Sequence, residues 1–206
     1  MGGVLRNLLL QCLRGLSLEN RDLDLVIDGA GSADDLRAAV KDYSPHQNDF
    51  GGVKCRVRPD GVVFDIWRIE DHVNMSFSES PHAIEELLQH NLLDIDAVVF
   101  DLQTGALHDG GCLVAIERGV VDLLGPEGIS QQFPAAQAAH IVLIGHKTTF
   151  ELSHDCRRFV SERVSNPAIR NQVLQILTRK LESDSAHAEE LLDSLVQEEP
   201  WPTMVS

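Results

Sequence analysis

The sequence predicts an α/β (α+β) unit, a mixed sheet with flanking helices, followed by a small all-helical segment. Three observations carry that prediction. Apolar runs of strand length alternate with helical repeats through the first 125 residues. Strong turn signals, Pro59-Asp60-Gly61 above all, separate some of those runs. Beyond Gly125-Pro126 the apolar spacing is helical only. The expected division is therefore 1–125 and 126–206.

The elements follow in order. Val4, Leu5, Leu8, Leu9, Cys12, Leu13 and Leu16 repeat at helical spacing, predicting a helix over 4–16. A strand over 23–27 follows and ends at Gly29-Ala30-Gly31. Ser32 has the chemistry of an N-cap, with Asp35 placed to close a capping box, so a helix is expected over 32–43. A polar loop over 44–49 leads to Phe50-Gly51-Gly52 and then to strands over 53–58 and 62–67. Ser80-Pro81 opens a helix running to about residue 90. Residues 95–101 form a mostly apolar run of strand length, whereas 107–112 and 115–124 read as short irregular pieces. Helices are expected over 134–147, 153–164, 167–181 and 186–197, with a loose tail over 198–206.

Composition narrows the function. Hydrophobic residues make up 43% of 206, enough for a packed core, and no apolar run reaches membrane-spanning length. No basic region leads into an apolar stretch with a small-residue cleavage site, so no signal peptide is expected. Cys12, Cys55, Cys112 and Cys156 are widely spaced, which fits reduced thiols in a cytoplasmic protein better than a zinc or disulfide framework. Acidic residues outnumber basic ones 32 to 17, for a formal charge of −15. A surface that tracks nucleic acid needs a basic stripe, so extended RNA or DNA binding by this chain alone is disfavoured. A small nucleotide that brings its own magnesium is compatible with the charge.

The most informative stretch is Arg21-Asp22-Leu23-Asp24-Leu25-Val26-Ile27. Strand side chains alternate faces, so Asp22 and Asp24 point one way while Leu23 and Leu25 turn to the core. Two carboxylates on one rigid edge suit magnesium, which takes oxygen ligands and is held by one or two carboxylates plus substrate phosphates. Asp-x-Asp alone also occurs on ordinary surface strands. Asp65 interrupts the apolar run Val62-Val63-Phe64-Asp65-Ile66-Trp67, which is costly unless it is paired, metal-bound or on a wet edge. Gly2 and Gly3 at a helix start would let a phosphate approach backbone N–H groups, or are simply a flexible end. Phe50, Gly51 and Gly52 would let a sugar or base lie against the backbone, or form a plain loop-to-strand turn. The histidines show no metal-ligand spacing.

Taken together, these pieces resemble the head domain of the poly(A) polymerase and CCA-adding nucleotidyltransferase family. The resemblance runs through Gly2-Gly3-Val4-Leu5-Arg6-Asn7, then Asp22-Leu23-Asp24, then Phe50-Gly51-Gly52-Val53-Lys54. It continues through Val63-Phe64-Asp65-Ile66-Trp67-Arg68, Leu92-Leu93-Asp94-Ile95-Asp96, Asp109-Gly110-Gly111 and Phe150-Glu151-Leu152-Ser153. It implies a nucleotidyltransferase of the DNA polymerase β type. Asp22 and Asp24 would carry Mg2+, Asp65 would complete or support the carboxylates, and Gly2, Gly3 and Arg6 would meet the triphosphate. A nucleotidyl group would pass from a nucleoside triphosphate to an acceptor hydroxyl, on an RNA end or another molecule, with release of pyrophosphate. Such phosphoryl chemistry is mostly positioning and charge neutralisation.

The chain also departs from the family. Only Met1 precedes Gly2, where the family has an apolar strand, so either the chain is truncated or the sheet lacks its first strand; the family's Arg-Asp is Arg6-Asn7. The family's two neck arginines fall on His140 and Leu143. The alternative reading is therefore a weakened homologue that binds nucleotide, or scaffolds a partner, without turnover.

Overall fold

The structure is a computed structural model, which describes residues 3–20, 22–29, 31–47, 52–58, 61–71, 84–125, 129 and 131–197. The chain forms two compact units, Met1–Ile116 with Leu124–Gly128, and Glu117–Leu123 with Ile129–Ser206. The fold is mixed α/β: a four-stranded mixed sheet with helices, then a C-terminal run of four helices.

The first unit opens with helix α1 (Gly3–Arg14), which buries Leu10 completely and packs on β1 (Asp22–Ile27). Helix α2 (Ala33–Ala39) begins with the capping box expected from Ser32 and Asp35, each side chain bonded to the other's backbone N–H. The sheet is completed by β2 (His46–Gln47), β3 (Val53–Arg56) and β4 (Val63–Arg68), in the order β1-β4-β3-β2. Strand β1 runs parallel to β4, and the other two pairings are antiparallel. One face of this sheet is apolar. Val53, Cys55 and Ile66 pack with Leu36 of α2, and Leu25, Ile27, Val40 and Phe64 close around them. That is the core to which Leu25 turns when Asp22 and Asp24 face away.

Three local expectations are corrected here. The helix over 32–43 ends at Ala39 and gives way to a single 3-10 turn, Lys41–Tyr43. Ser44 then takes the left-handed conformation (φ 50°), which ends the helical turn ahead of Pro45. The polar loop over 44–49 contains β2, a strand whose ladder to β3 is backbone pairing and which has no apolar signature. In the run over 95–101, a 3-10 turn (Asp94–Asp96) precedes β5 (Val98–Phe100), because Asp94 accepts from the Ile95 N–H at 2.7 Å and its carbonyl from Ala97 at 3.0 Å.

Helix α3 (Ile84–Gln89) matches the end of the helix expected from Ser80-Pro81, whose start lies outside the described residues. Strand β6 (Leu107–Asp109) pairs antiparallel with β5. The stretch over 107–124, expected to be irregular, contains helix α4 (Cys112–Arg118), which buries Cys112, Ala115 and Ile116. Asp109 starts it by accepting from the Gly111 and Leu113 N–H groups. Between them, Gly110 comes so close to the rest of the unit that an added Cβ would stand 3.0 Å from Leu88 Cβ and 3.1 Å from Ala97 Cβ. Its N–H also donates to the Ala97 carbonyl at 2.7 Å, so the backbone has little room to retreat. Gly110→Ala is expected to lower stability by about 1–3 kcal/mol through overpacking, read as a fall in melting temperature.

In the second unit β7 (Val120–Val121) and β8 (Glu151–Leu152) form a two-residue parallel pair, so helices do not fill it alone. Helix α5 (Pro134–Thr148) buries Ala138, Ile141, Val142 and Leu143 among others, on more than one face, and packs on α6 (His154–Val164), α7 (Pro167–Leu181) and α8 (Ser185–Val196). A helix apolar on most sides belongs at the centre of a bundle. Ser153, Asn166 and Asp184 cap the three surrounding helices. The tail over 198–206 lies outside the described residues. No described helix is long and apolar enough to cross a membrane.

Candidate active site

The sheet face opposite the apolar one carries a polar row. Parallel pairing sets Asp24 of β1 beside Asp65 of β4, and antiparallel pairing sets Asp65 beside Lys54 of β3 and Lys54 beside His46 of β2. Cross-strand partners share a face, so the four side chains form a line across all four strands. Asp22, two residues before Asp24, lies on the same side. Asp65 therefore does not sit on an edge. Its strand has a neighbour on each side, and its side chain is 13% exposed.

Lys54 reaches across this row. Its Nζ stands 3.2 Å from Asp65 Oδ2 and 3.7 Å from Asp22 Oδ2. Burial works against its charge, but the hydrogen bond and charge of Asp65, followed by those of Asp22, outweigh it and hold the ammonium above its ordinary pKa. For Asp24 the balance goes the other way. Burial, then the negative charge of Asp22 and that of Asp65, push its carboxyl from 3.8 to about 6. Among the described residues the face thus sets three carboxylates beside one ammonium.

Among the described residues no group of three or more His, Cys, Asp or Glu side chains stands ready to hold a metal ion. The donor chemistry nevertheless fits a hard divalent cation. The donors are carboxylate oxygens of Asp22, Asp24 and Asp65 on one face of the sheet, the ligand type such an ion takes. Among the described residues Lys54 opposes such an ion.

The remaining predicted residues fall in different places. Gly3 is the first residue of α1, and Gly52 is buried directly before β3. Gly2, Phe50 and Gly51 lie outside the described residues. Arg6 is buried, and its guanidinium is engaged within the fold: Nη1 donates to Asp96 Oδ1, and Nε donates to Asn7 Oδ1 at 3.0 Å. Asn7 in turn donates to Asn20 Oδ1 at 2.9 Å and to the Glu19 carbonyl at 3.3 Å, tying α1 to the turn before β1. Leu143 is part of the α5 core. Two residues escaped the sequence reading of the site. Lys54 alternates with the buried Val53 and Cys55, so its face was readable. Asp96, a buried acid, gave no local sign of its partner.

This architecture is similar to that of solved nucleotidyltransferase structures. Across nearly its whole length the chain superposes on solved CCA-adding and tRNA nucleotidyltransferase structures. A tRNA-processing enzyme with CTP matches with a TM-score of 0.65 and 19% identity over 97% of this chain and 53% of that one. A CCA-adding enzyme with ATP matches at 0.62 and 19% over 95% and 45%. A tRNA nucleotidyltransferase complexed with a primer tRNA and an incoming ATP analogue matches at 0.60 and 19% over 96% and 55%. The chain spans about half the length of these structures, and identity at this level speaks for the fold. No protein-family model matches the chain, and no curated protein sequence matches it.

Proposed function

We propose that this chain is a magnesium-dependent nucleotidyltransferase, its head domain spanning 1–125 and a helical neck-like segment spanning 126–206. The observation that carries the proposal is the row of Asp22, Asp24 and Asp65 on one face of the sheet, in a fold shared with enzymes solved with ATP and CTP. Asp22 and Asp24 would hold the ion, which supplies positive charge to a triphosphate and to the charge that develops during transfer. Asp65 supports them from the neighbouring strand and fixes Lys54. The N-terminus of α1, beginning at Gly3, offers backbone N–H groups of the kind that accept phosphate oxygens. The leaving group is pyrophosphate, and the acceptor is a hydroxyl on an RNA end or another molecule.

A second reading, nucleotide binding without turnover, draws support from Arg6, which is committed to Asp96, and from Leu143, which stands in the helical core. Both readings require magnesium-dependent binding of ATP or CTP. Equilibrium dialysis with labelled nucleotide is expected to show binding with magnesium, weakened at least tenfold by EDTA or by Asp22→Asn. Binding indifferent to both would contradict both readings. Pyrophosphate release separates them.

A further inference from the structure

We propose that the ammonium of Lys54 is a tethered cation of the carboxylate face, competing with the divalent ion for Asp22 and Asp65 and so setting the affinity of the site for metal. This rests on the metal site of the proposed function and adds a property of one side chain that the site does not need in order to exist.

Three observations combine. The first is register: Lys54 is the direct cross-strand partner of Asp65, which is itself the partner of Asp24, so its side chain starts on the same face as the acids. The second is distance. Nζ lies 3.2 Å from Asp65 Oδ2 and 3.7 Å from Asp22 Oδ2, so one ammonium serves carboxylates on two strands. The third is chemistry. A magnesium ion sits about 2.0–2.1 Å from its oxygens, so an ion on Asp22 would crowd a full positive charge against Nζ. The ammonium and a divalent ion would draw on the same carboxylate oxygens of Asp22 and Asp65. Lys54 is 32% exposed on a flexible stem, which lets it swing aside when an ion arrives. The lysine thus keeps like charges apart in the unloaded protein at the cost of metal affinity.

The test is manganese binding to the full chain, followed by electron paramagnetic resonance of the free ion, for wild type, Lys54→Met and Lys54→Arg. Lys54→Met keeps the length of the stem and removes the charge. It is expected to bind manganese about tenfold or more tightly than wild type, with Lys54→Arg staying within about threefold of wild type. In EDTA, Lys54→Met is expected to melt below wild type and to regain the difference when manganese is added. Wild type and Lys54→Met binding with equal affinity would overturn the role of the lysine and leave the metal site standing. No manganese on either protein would overturn both. If Lys54→Met fails to fold, the side-chain NMR signal of Lys54 in wild type decides. It shifts on addition of magnesium if the lysine is displaced, and an unmoved signal at metal saturation overturns the proposal.

Discussion

Asp24→Asn is expected to make the metal-free protein more stable at pH 7 while removing its response to magnesium. The Asp24 carboxyl is raised from 3.8 to about 6, chiefly by burial and then by the charge of Asp22. A carboxyl with a raised pKa binds its proton more tightly in the folded chain than in the unfolded one. Its contribution to stability therefore falls as pH rises from about 4 to 6, and the full cost is present above 6. A rise of this size corresponds to about 2–3 kcal/mol. Asparagine cannot ionise, so the variant should recover much of that amount at pH 7 and show a flatter stability profile between pH 4 and 6. Wild type should gain stability when magnesium is added, because an ion that binds only the folded state stabilises it by mass action. The variant should not. Chemical denaturation at pH 4, 5, 6 and 7, with and without magnesium, reads all of this. A variant less stable than wild type at pH 7 would mean that the carboxylate is well satisfied by the protein itself and that the face is not waiting for a cation.

Arg6→Ala is expected to cost about 3–5 kcal/mol and to loosen the first unit. The Arg6–Asp96 pair is buried, with side chains 10% and 11% exposed. Removing the guanidinium takes its positive charge away from the buried Asp96 carboxylate and removes the Arg6 Nε donor to Asn7. Truncating both partners should cost less than truncating Arg6 alone, since no buried carboxylate is then left lacking the guanidinium. Denaturant unfolding of the two single variants and the double variant completes the cycle. The same variants address the phosphate role that the family resemblance implies for Arg6. If the arginine serves only the fold, folded Arg6→Ala binds nucleotide as wild type does. If it turns to the triphosphate when nucleotide arrives, affinity falls in addition to stability.

Legibility in the sequence tracked how local each determinant is. The helices of the second unit were readable because side chains that act within a few residues mark their ends: Pro134, the Ser153 cap and the Asn166-Pro167 start. The Ser32–Asp35 capping box was readable for the same reason, as was the shared face of Asp22 and Asp24, which needs only strand alternation. Strand β2 was missed because two polar residues held by backbone pairing leave no pattern, and α4 was missed because seven residues are too few for a clear repeat. The site itself was half legible. Its acids could be listed, but their order across the sheet comes from the parallel pairing of β1 with β4, and the hairpin strand β3 brings Lys54 into the row. That ladder joins segments far apart in the chain. The partner of Arg6 is 90 residues away, beyond the reach of any spacing rule.

The most direct test of the central claim is pyrophosphate release by the purified chain supplied with magnesium and each of the four labelled nucleoside triphosphates, with and without RNA ends as acceptors. Wild type should release pyrophosphate with at least one nucleotide, and Asp24→Asn should lower the rate at least a hundredfold while remaining folded by circular dichroism. Equal rates from the two proteins, or silence from both under every combination, would contradict the assignment of nucleotidyl transfer to the acidic face of this sheet.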